Sequence, residues 1–297
     1  MVVVFGSINL DLVAQVARMP APGETLAGTS FRTSPGGKGA NQALAARRAG
    51  ATVQMFGAVG RDAFATNALA NLEGSGIDLA GVVALDQPTG VALIHVDARG
   101  ENAITVVAGA NGHATAAQVP DDALGPKSTL VLQLEVPLNE IALLLKRVRG
   151  ARVILNAAPA MALPDALLRD VGYLIVNESE AAVMGAALGP ATEPEAFAMA
   201  VAARYRNAVV VTLGACGALA VQDEKAFAIA APGVTVVDTT GAGDALVGAL
   251  AAALDRGASL RDALADGVAA GSLACAGPGA QAALPTRDAI ATLAATL

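Results

Sequence analysis

The stretch that says most about the fold reads Val236-Val237-Asp238-Thr239-Thr240-Gly241-Ala242-Gly243-Asp244-Ala245-Leu246-Val247-Gly248. Its order predicts the end of a strand, a turn with two glycines and the start of a helix. The start of a helix carries unpaired N–H donors and a partial positive charge, so a glycine turn at this point can hold an anion. A carboxylate on the same turn, Asp244, suits the deprotonation of an alcohol beside a bound phosphoryl group.

A structural explanation of this turn is equally good when the stretch is considered alone. Aspartate at the start of a helix commonly caps that helix, and glycine commonly serves only the turn. The choice between a capped helix and a catalytic corner therefore depends on the remainder of the chain.

Outside this stretch, short apolar runs alternate with Ala- and Leu-rich helical segments. The predicted buried strands are Val2–Gly6, Thr52–Phe56, Thr129–Gln133, Val153–Asn156, Tyr173–Val176 and Ala208–Thr212. The predicted helices are Asn41–Ala49, Asp62–Leu72, Leu138–Arg149, Glu178–Ala187, Glu193–Arg206, Gly243–Asp255 and Leu260–Ala274. This order predicts an α/β fold with a doubly wound, mostly parallel sheet flanked by helices, which binds ligands beyond the carboxyl ends of its strands.

Two segments interrupt the alternation of strands and helices. Glu24–Thr33 and Val91–Val107 have the alternating pattern of strands, and no crossover helix follows either of them at once. They predict a small antiparallel β lid, with strands within residues 9–35 and 88–108, that projects from a single domain covering residues 1–297. Such a sheet suits closure over a ligand or pairing with a second copy, so we expect a homodimer formed through the lid.

The composition excludes several classes of protein. The chain has 19 basic and 26 acidic residues, a net charge of −7 and no basic stripe, so no nucleic-acid partner is expected. Its 54% hydrophobic content includes only 3% aromatic residues, so Ala, Val and Leu must build the core. The longest uncharged run, 267–286, contains Pro278 and several glycines, which makes it a poor membrane span.

The cysteines and histidines predict neither a disulfide framework nor a zinc site. Cys216 and Cys275 are too few for such a framework and fit a reducing cytoplasm, where we expect the protein to be located. Together with His95 and His113 they show no spacing typical of zinc ligands. The N-terminal residues 1–6 lack a cationic region before the apolar run, which favours a first buried strand over a signal peptide.

Two polar turns in the N-terminal part of the chain could hold a substrate. Asn9 and Asp11 follow the first predicted strand and face the same way in an extended segment, which suits neighbouring sugar hydroxyls, although an Asx turn explains them equally well. The run Pro35-Gly36-Gly37-Lys38-Gly39-Ala40-Asn41-Gln42-Ala43 allows close backbone approach before a helix and adds the donors of Lys38 and Asn41. It is neither a P-loop nor a dinucleotide fingerprint, and a plain glycine turn is the alternative.

Three later turns could serve a nucleotide or a cation. Asn177-Glu178-Ser179-Glu180 predicts a capping box, or a carboxylate that orders water on Mg²⁺. The glycine turn 212–217 ends a predicted strand and could approach a ribose or phosphates. The loop 274–281 offers carbonyl groups that could bind a monovalent cation together with Asp238, although an ordinary surface loop is the simpler interpretation.

With these pieces in order, the chain resembles the ribokinase family of PfkB-type carbohydrate kinases over essentially its whole length. The run Gly36 to Asn41 resembles the N-terminal signature of that family, and the run Asp238 to Asp244 resembles its C-terminal signature. The element from Asn177 to Glu180 is similar to the family's NxxE motif. The resemblance implies an ATP-dependent kinase that acts on a pentose, D-ribose at its 5-hydroxyl group before other sugars, with Mg²⁺ and a monovalent activator, K⁺.

The resemblance also implies roles for individual residues. Asp244 would be the general base, and the backbone N–H groups of Gly241, Ala242 and Gly243 would form the anion hole. The sugar would be bound by Asn9, Asp11, Gly37, Lys38, Gly39, Ala40, Asn41, Glu135 and Asp244. The nucleotide would be bound by Asn177, Thr212, Leu213, Gly214, Ala215, Cys216, Gly217 and Gly243. Glu180 would act on Mg²⁺ through water, and K⁺ would be held by Asp238, Thr240, Ala274, Gly277 and Gly279.

Two positions depart from the family pattern. Ala283 stands where ribokinases often have a serine that binds the cation, which implies weaker K⁺ binding. Val268 stands where the family commonly has an asparagine near the adenine, which puts selectivity for the base in doubt.

Other functions are weaker alternatives. A fructokinase, a deoxyribokinase or a nucleoside kinase of the same family would share these motifs, although the low aromatic content offers few stacking partners for a nucleobase. A nicotinamide oxidoreductase is disfavoured because the dinucleotide fingerprint is missing. A sugar-binding protein without catalysis could keep the fold, but the presence of Asp244 beside both glycines disfavours it.

Overall fold

The computed structural model describes residues 1–188 and 193–297. Its strands are β1 (Val2–Phe5), β2 (Asn9–Gln15), β3 (Ser30–Gly36), β4 (Val53–Gly60), β5 (Asp78–Leu85), β6 (Gly90–Val96), β7 (Asn102–Val107), β8 (Thr129–Gln133), β9 (Arg152–Asn156), β10 (Tyr173–Asn177), β11 (Ala208–Thr212), β12 (Ala218–Gln222) and β13 (Lys225–Ile229). Its helices are α1 (Lys38–Arg48), α2 (Ala63–Ser75), α3 (Leu138–Leu145), α4 (Asp165–Arg169), α5 (Glu178–Leu188), α6 (Pro194–Tyr205), α7 (Ala242–Asp255), α8 (Leu260–Ala274) and α9 (Arg287–Ala294).

The main sheet has nine strands in the order β13-β12-β11-β10-β9-β8-β1-β4-β5 within the described residues. All neighbours from β11 to β5 pair in parallel, and β12 pairs antiparallel with both β11 and the edge strand β13. Successive side chains of β1 enter different cores, since Val2 and Val4 pack in one cluster and Val3 and Phe5 in the other. A sheet buried on both faces confirms the doubly wound architecture.

The smaller sheet has the order β3-β2-β6-β7. Its two outer ladders, β2 with β3 and β6 with β7, are antiparallel, as the sequence predicts. The central pair, β2 with β6, is parallel, because both strands leave the main body at the same end: Asn9 pairs with Gly90 at their first residues. This sheet, the lid, starts directly at the carboxyl end of the main sheet and therefore borders any ligand bound there.

Two of the local predictions differ from the structure. The strand end expected at Val236-Val237 does not form: the chain has no strand from 230 to 241, and these valines are 61% and 60% exposed. Their backbone cannot join the sheet because the amide of Val237 donates to the carbonyl oxygen of Cys275 at the end of α8. The strand expected at Glu24–Thr33 begins only at Ser30, since a turn from Ala21 to Glu24 and an Arg18–Glu24 ion pair precede it.

The edge strands were not predicted from the sequence. The strand β5 carries a half-exposed side-chain pattern, and β13 is exposed over most of its length. Edge strands contact one neighbouring strand only, so their sequences lack the continuous apolar runs by which central parallel strands are recognised.

Close packing of α1 against α7 depends on Gly248. A Cβ atom at Gly248 would lie 2.4 Å from Cβ of Ala45 and 2.6 Å from the carbonyl oxygen of Gln42. Asp244 lies one turn before Gly248 on the same face of α7. The close contact therefore brings the first turn of α7 beside the first half of α1.

Candidate active site

The first turn of α7 exposes backbone donors. Gly241 precedes the helix with φ of 79°, and a Cβ atom there would lie 2.8 Å from Cα of Ala280, so only glycine fits. The amide of Ala242 donates to the carbonyl oxygen of Thr239 over 3.2 Å. Within the described residues, the amides of Gly243 and Asp244 have no protein acceptor. This helix start can therefore bind an anion.

The first turn of α1 also follows glycines, but its amides are occupied by the protein. The amide of Lys38 donates to Glu135 Oε2 over 3.1 Å, and that of Gly39 donates to Ser7 Oγ over 3.2 Å. The amide of Ala40 donates to the carbonyl oxygen of Ser7 over 2.9 Å. In the described part of the chain, the first turn of α1 therefore has its amides bonded to the protein, whereas the first turn of α7 keeps donors for a ligand.

Two amide side chains of α1 hold the carboxylate of Asp244, which is only 7% exposed. Asn41 Nδ2 donates to Oδ2 over 2.9 Å, and Gln42 Nε2 donates to Oδ1 over 2.8 Å. No cation pairs with this carboxylate within 4.0 Å in the described part of the chain. The carboxylate is fixed by neutral donors, so it remains available to accept a proton.

A polar cavity of about 220 Å³ lies against Asp244. Gly241, Gly243, Lys38 and Thr212 contribute to its lining. Burial alone would lower the pKa of Lys38, but the carboxylates of Asp244, Glu135 and Glu180 outweigh it and raise the pKa above its usual value. The ammonium group therefore keeps its positive charge beside the free amides of α7.

Asn177 and Glu180 form the reciprocal capping box at the start of α5. The amide of Glu180 donates to Asn177 Oδ1, and the amide of Asn177 donates to Glu180 Oε2, each over 2.8 Å. Both residues also line the polar cavity. Burial raises the pKa of Glu180 more than the Asn177 amide and Lys38 lower it. The structural interpretation of this motif is thus correct, and its carboxylate nevertheless faces the candidate site.

A second cavity of about 380 Å³ adjoins the polar one, and both are lined by Thr212 and Gly243. Its walls are largely apolar and include Val268, Leu246 and Val236. From the glycine turn after β11, the residues Gly214, Ala215 and Gly217 line it. Leu213 and Cys216 of the same turn do not, since Leu213 packs against the core and Cys216 is exposed.

The polar residues at the base of the lid meet the start of α1. Asn9 is buried, and its Oδ1 accepts from Asn111 Nδ2 over 2.7 Å. Asp11 lies two residues further along β2, on the face of the lid that looks towards Glu135 and Asp244. Burial, followed by these two carboxylates, raises the pKa of Asp11 from 3.8 to about 6. Asp11 and Glu135 are thereby brought close to Asp244, and none of Asn9, Asp11 and Glu135 lines the apolar cavity.

Asp238 joins the turn before α7 to the loop after α8. Its Oδ1 accepts from the amide and the hydroxyl of Thr240, and its Oδ2 accepts from the amide of Gly279 over 2.9 Å. Burial would raise its pKa, but these hydrogen bonds outweigh burial and lower it. A Cβ atom at Gly277 would lie 3.1 Å from that of Ala283, so the loop carrying Gly277 and Gly279 does pack beside Ala283. Asp238 thus ties the turn before α7 to the loop after α8, in which the carbonyl groups expected to bind a cation lie.

Several residues of the site received no role from the sequence. Gln42 stands next to Asn41 in the glycine-rich run, and Gln281 ends the loop after α8 and donates to Asn41 Oδ1 over 3.0 Å. Gln133 and Asn156 are the last residues of β8 and β9. A polar residue that ends an apolar strand was a usable signal for both. Asn111, in a short 3₁₀ turn, offered no such signal.

A model of the pfkB family carbohydrate kinases matches residues 1–287. The chain belongs to this family of carbohydrate kinases. A ribokinase from Schizosaccharomyces pombe is 39% identical to the chain over 280 residues, which cover 89% of this chain and 88% of the relative. The two glycine motifs of this pfkB chain are thus the two turns that precede α1 and α7.

Two solved structures share the fold of this pfkB chain. Ribokinase from Thermotoga maritima superimposes with a TM-score of 0.92 at 31% identity and covers 98% of each chain. Arabidopsis thaliana ribokinase, solved in complex with ribose and ATP, superimposes with a TM-score of 0.89 at 32% identity, covering 99% of this chain and 98% of that one.

Two features are absent from residues 1–188 and 193–297. No helix there is both long and apolar enough to traverse a bilayer. The same residues contain no group of three or more His, Cys, Asp or Glu side chains arranged to hold a metal ion.

Proposed function

We propose that the protein transfers the γ-phosphoryl group of ATP to the 5-hydroxyl group of D-ribose, giving D-ribose 5-phosphate and ADP. The observation that carries this proposal is the position of the Asp244 carboxylate on a helix turn whose Gly243 amide has no acceptor among the described residues. One residue of that turn can accept a proton while the adjacent backbone binds the transferred group. Family membership and the ribokinase relatives support the choice of sugar and phosphoryl donor.

The transfer needs one base and a set of fixed positive charges. Asp244 takes the proton of the 5-hydroxyl group, the alkoxide oxygen bonds to the γ-phosphorus, and the bond from that phosphorus to the β,γ-bridging oxygen breaks. The amides of Gly241 and Gly243 and the ammonium of Lys38 stabilise the charge on the transferred group. The Ala242 amide, already bonded to Thr239, contributes to the turn and less to the anion hole.

The sugar is assigned to the space between the lid and Asp244. Asn9, Asp11 and Glu135 offer oxygen acceptors there, and Lys38 and Asn41 offer donors, so neighbouring hydroxyls of a pentose can be bound from several sides. Gly37, Gly39 and Ala40 carry no bulky side chain and let the backbone approach this space. The compact polar surroundings favour a small polyhydroxylated ring.

The nucleotide is assigned to the two adjoining cavities. The apolar one accepts the base beside Val268, and the polar one accepts the phosphate chain beside Lys38. Glu180 and Asn177 line the polar cavity, which fits an Mg²⁺ ion held through water, and that ion would neutralise phosphate charge. Asp238 and Thr240, with the carbonyl groups of Ala274, Gly277 and Gly279, fit K⁺.

A panel of sugars tests this function. The native protein is assayed for ATP-dependent ADP release with ribose, deoxyribose, fructose and a nucleoside, and the phosphorylated position of the product is read by ³¹P NMR. Ribose should give the highest kcat/KM and a 5-phosphate, and K⁺ should raise the rate. A different sugar at the top of the panel would overturn the choice of ribose, and no turnover with any of them would overturn the kinase.

We also propose that two chains associate through their lids in the cytoplasm. The lid exposes apolar side chains on both faces: Phe31, Leu93 and Val107 on one, Ile104 and Val106 on the other, as the strand registers require. Apolar groups concentrated on a small projecting sheet are typical of an interaction surface. The two unpaired cysteines, Cys216 and Cys275, support a reducing compartment.

A further inference from the structure

Gln42 is fully buried, with 0% of its surface exposed, and every polar hydrogen and acceptor of its amide is used. Its Nε2 donates to Asp244 Oδ1 over 2.8 Å and to Asn156 Oδ1 over 3.0 Å. Its Oε1 accepts from Gln133 Nε2 over 2.7 Å. Gln42 lines neither of the two cavities, so it can influence a ligand only through the residues it holds.

The orientation of this amide is determined by its three partners. If the amide were turned over, its oxygen would face two oxygens, of Asp244 and Asn156, and its nitrogen would face the donor of Gln133. Asn156 is anchored in turn, because its own Nδ2 donates to the carbonyl oxygen of Ile175 over 3.2 Å. Gln42 therefore links the first turn of α7 to the carboxyl ends of β8 and β9.

Gln133 is itself immobilised by packing. Its Oε1 is buried without a hydrogen-bond partner in the described residues, and a Cβ atom at Gly6 would lie 2.0 Å from that oxygen. A buried acceptor without a partner costs free energy. Gln133 bears this cost in the orientation in which its Nε2 donates to Gln42. Gln133, at the end of β8, thus fixes the orientation of the Gln42 amide, and Gln42 in turn fixes the direction of its hydrogen bond to Asp244.

We propose that Gln42 is a positioning residue of the phosphoryl transfer, which fixes the plane of the Asp244 carboxylate. This inference rests on the proposed function, since it assumes that Asp244 accepts the proton of the sugar. Asn41 holds one carboxylate oxygen and Gln42 holds the other, so the carboxylate cannot rotate without losing a bond. Donors to a carboxylate favour its charged form, which is the form that can act as a base.

Gln42→Met and Gln42→Glu test the proposal. Methionine keeps the length of the side chain and removes both donors, whereas glutamate keeps the shape and presents oxygen to Asp244. The matched control is Gln54, whose Nε2 donates to Asp78 Oδ2 over 2.9 Å in an exposed position far from the site. Gln54→Met and Gln54→Glu make the same chemical changes at an amide–carboxylate bond of similar length.

We expect Gln42→Met to lower kcat by ~10- to 100-fold and to change the KM for ATP by less than ~3-fold. The acid limb of its kcat/KM profile should move to higher pH, because the base loses a donor that favours ionisation. In Gln42→Glu the two carboxyl groups share one proton at low pH, so an alkaline limb should appear that the native protein lacks. The Gln54 variants should keep the native kcat and pH profile.

The possible results distinguish a wrong role for Gln42 from a wrong proposed function. Turnover of the native protein is measured first, and the variants are then assayed with whichever sugar it phosphorylates. No native turnover would overturn the kinase and the role of Gln42 together. Native turnover with an unchanged pH profile in both Gln42 variants, whatever their thermal stability, would overturn the positioning role alone. If Gln42→Met fails to fold, Gln42→Glu decides, and failure of both would assign Gln42 to the core only.

Discussion

Asn41 Nδ2 donates to Oδ2 of Asp244 over 2.9 Å and thereby joins two residues that are 203 positions apart in the chain. Each belongs to one of the two glycine turns that characterise the sequence. The bond places the start of α1 against the start of α7, where the amides of Gly243 and Asp244 have no acceptor in the described residues. The α1 turn thus contributes side chains to the site, and the α7 turn contributes both a carboxylate and its backbone.

Replacement of the proposed base should remove catalysis and keep the fold. Asp244→Asn is nearly isosteric but cannot take a proton, so we expect kcat to fall by ~10²- to 10⁴-fold. The Tm should fall as well, because the new amide nitrogen faces one of the two donors that hold the carboxylate. The measurement is ATP-dependent turnover of ribose beside calorimetric binding of ATP. Asp288→Asn, at the exposed first turn of α9, is the matched control. Activity retained in Asp244→Asn would remove Asp244 from the mechanism.

A methyl group on Gly243 should weaken the binding of ATP. Apart from its chain neighbours and the backbone of its own helix, no atom of the described residues lies within 4 Å of a Cβ at this position, so Gly243→Ala folds. The residue lines both cavities, and its methyl group would compete with the phosphate chain. We expect the KM for ATP to rise by ~10-fold, which corresponds to ~1.4 kcal/mol. Gly74→Ala, in a helix with equally open surroundings, controls for the change of helix propensity. An unaltered KM would show that the phosphates pass elsewhere.

The affinity for the sugar should depend on the ionisation of Asp11. With its pKa near 6, the carboxyl group changes from protonated to charged as the pH rises from 5 to 7, and the charged form accepts hydrogen bonds from sugar hydroxyls. The KM for ribose should therefore fall over this range in the native protein, and Asp11→Asn should have a flat profile. Asp86→Asn, whose side chain is 95% exposed, should behave as the native protein does.

The same raised pKa has a consequence for stability. The folded protein binds the proton of Asp11 more tightly than the unfolded chain, so the free energy of unfolding decreases as the pH rises from 3.8 to about 6. Asp11→Asn removes this loss of stability. The difference between the Tm of the variant and the native Tm should therefore be larger above pH 6 than at pH 4. Equal differences at both values would contradict the burial of this charge among carboxylates.

The activating cation should bind more tightly once a hydroxyl group is restored at position 283. Ala283→Ser adds an oxygen beside the loop that carries Gly277, so we expect half-maximal activation at a K⁺ concentration ~3- to 10-fold lower. Turnover is followed against KCl at constant ionic strength. Ala282→Ser alters an exposed neighbour and should leave the response unchanged. The same response in both variants would exclude position 283 from the cation site.

Charge on the lid should dissociate the proposed dimer. Leu93 and Ile104 lie on opposite faces of the lid and are 40% and 54% exposed, so the double variant Leu93→Glu/Ile104→Glu alters both faces. Sedimentation should show a dimer for the native protein and a monomer for this variant. Leu143→Glu/Val183→Glu changes aliphatic residues of 48% and 45% exposure outside the lid and should stay dimeric. A native monomer would refute the lid interface.

The sequence by itself determined the class of fold and the identity of the two turns. Strands such as Thr129–Gln133 and helices such as Leu260–Ala274 have the predicted bounds, because burial on both faces and helical periodicity leave their pattern in neighbouring residues. The two glycine motifs identified Asp244 and Asn41 because each motif is an uninterrupted stretch of sequence that can be recognised without the fold.

Only the tertiary structure decided how those turns are used. It showed that Ser7 and Glu135 occupy the amides of α1, that Gln42 and Gln133 support Asp244 from the sheet, and that Val236 lines a cavity instead of ending a strand. Hydrogen-bond partners and burial depend on residues brought together from distant parts of the chain, and the local sequence pattern does not predict them. The free donors beside Asp244 are therefore a property of the packed molecule, although the residues that present them stand together in the sequence.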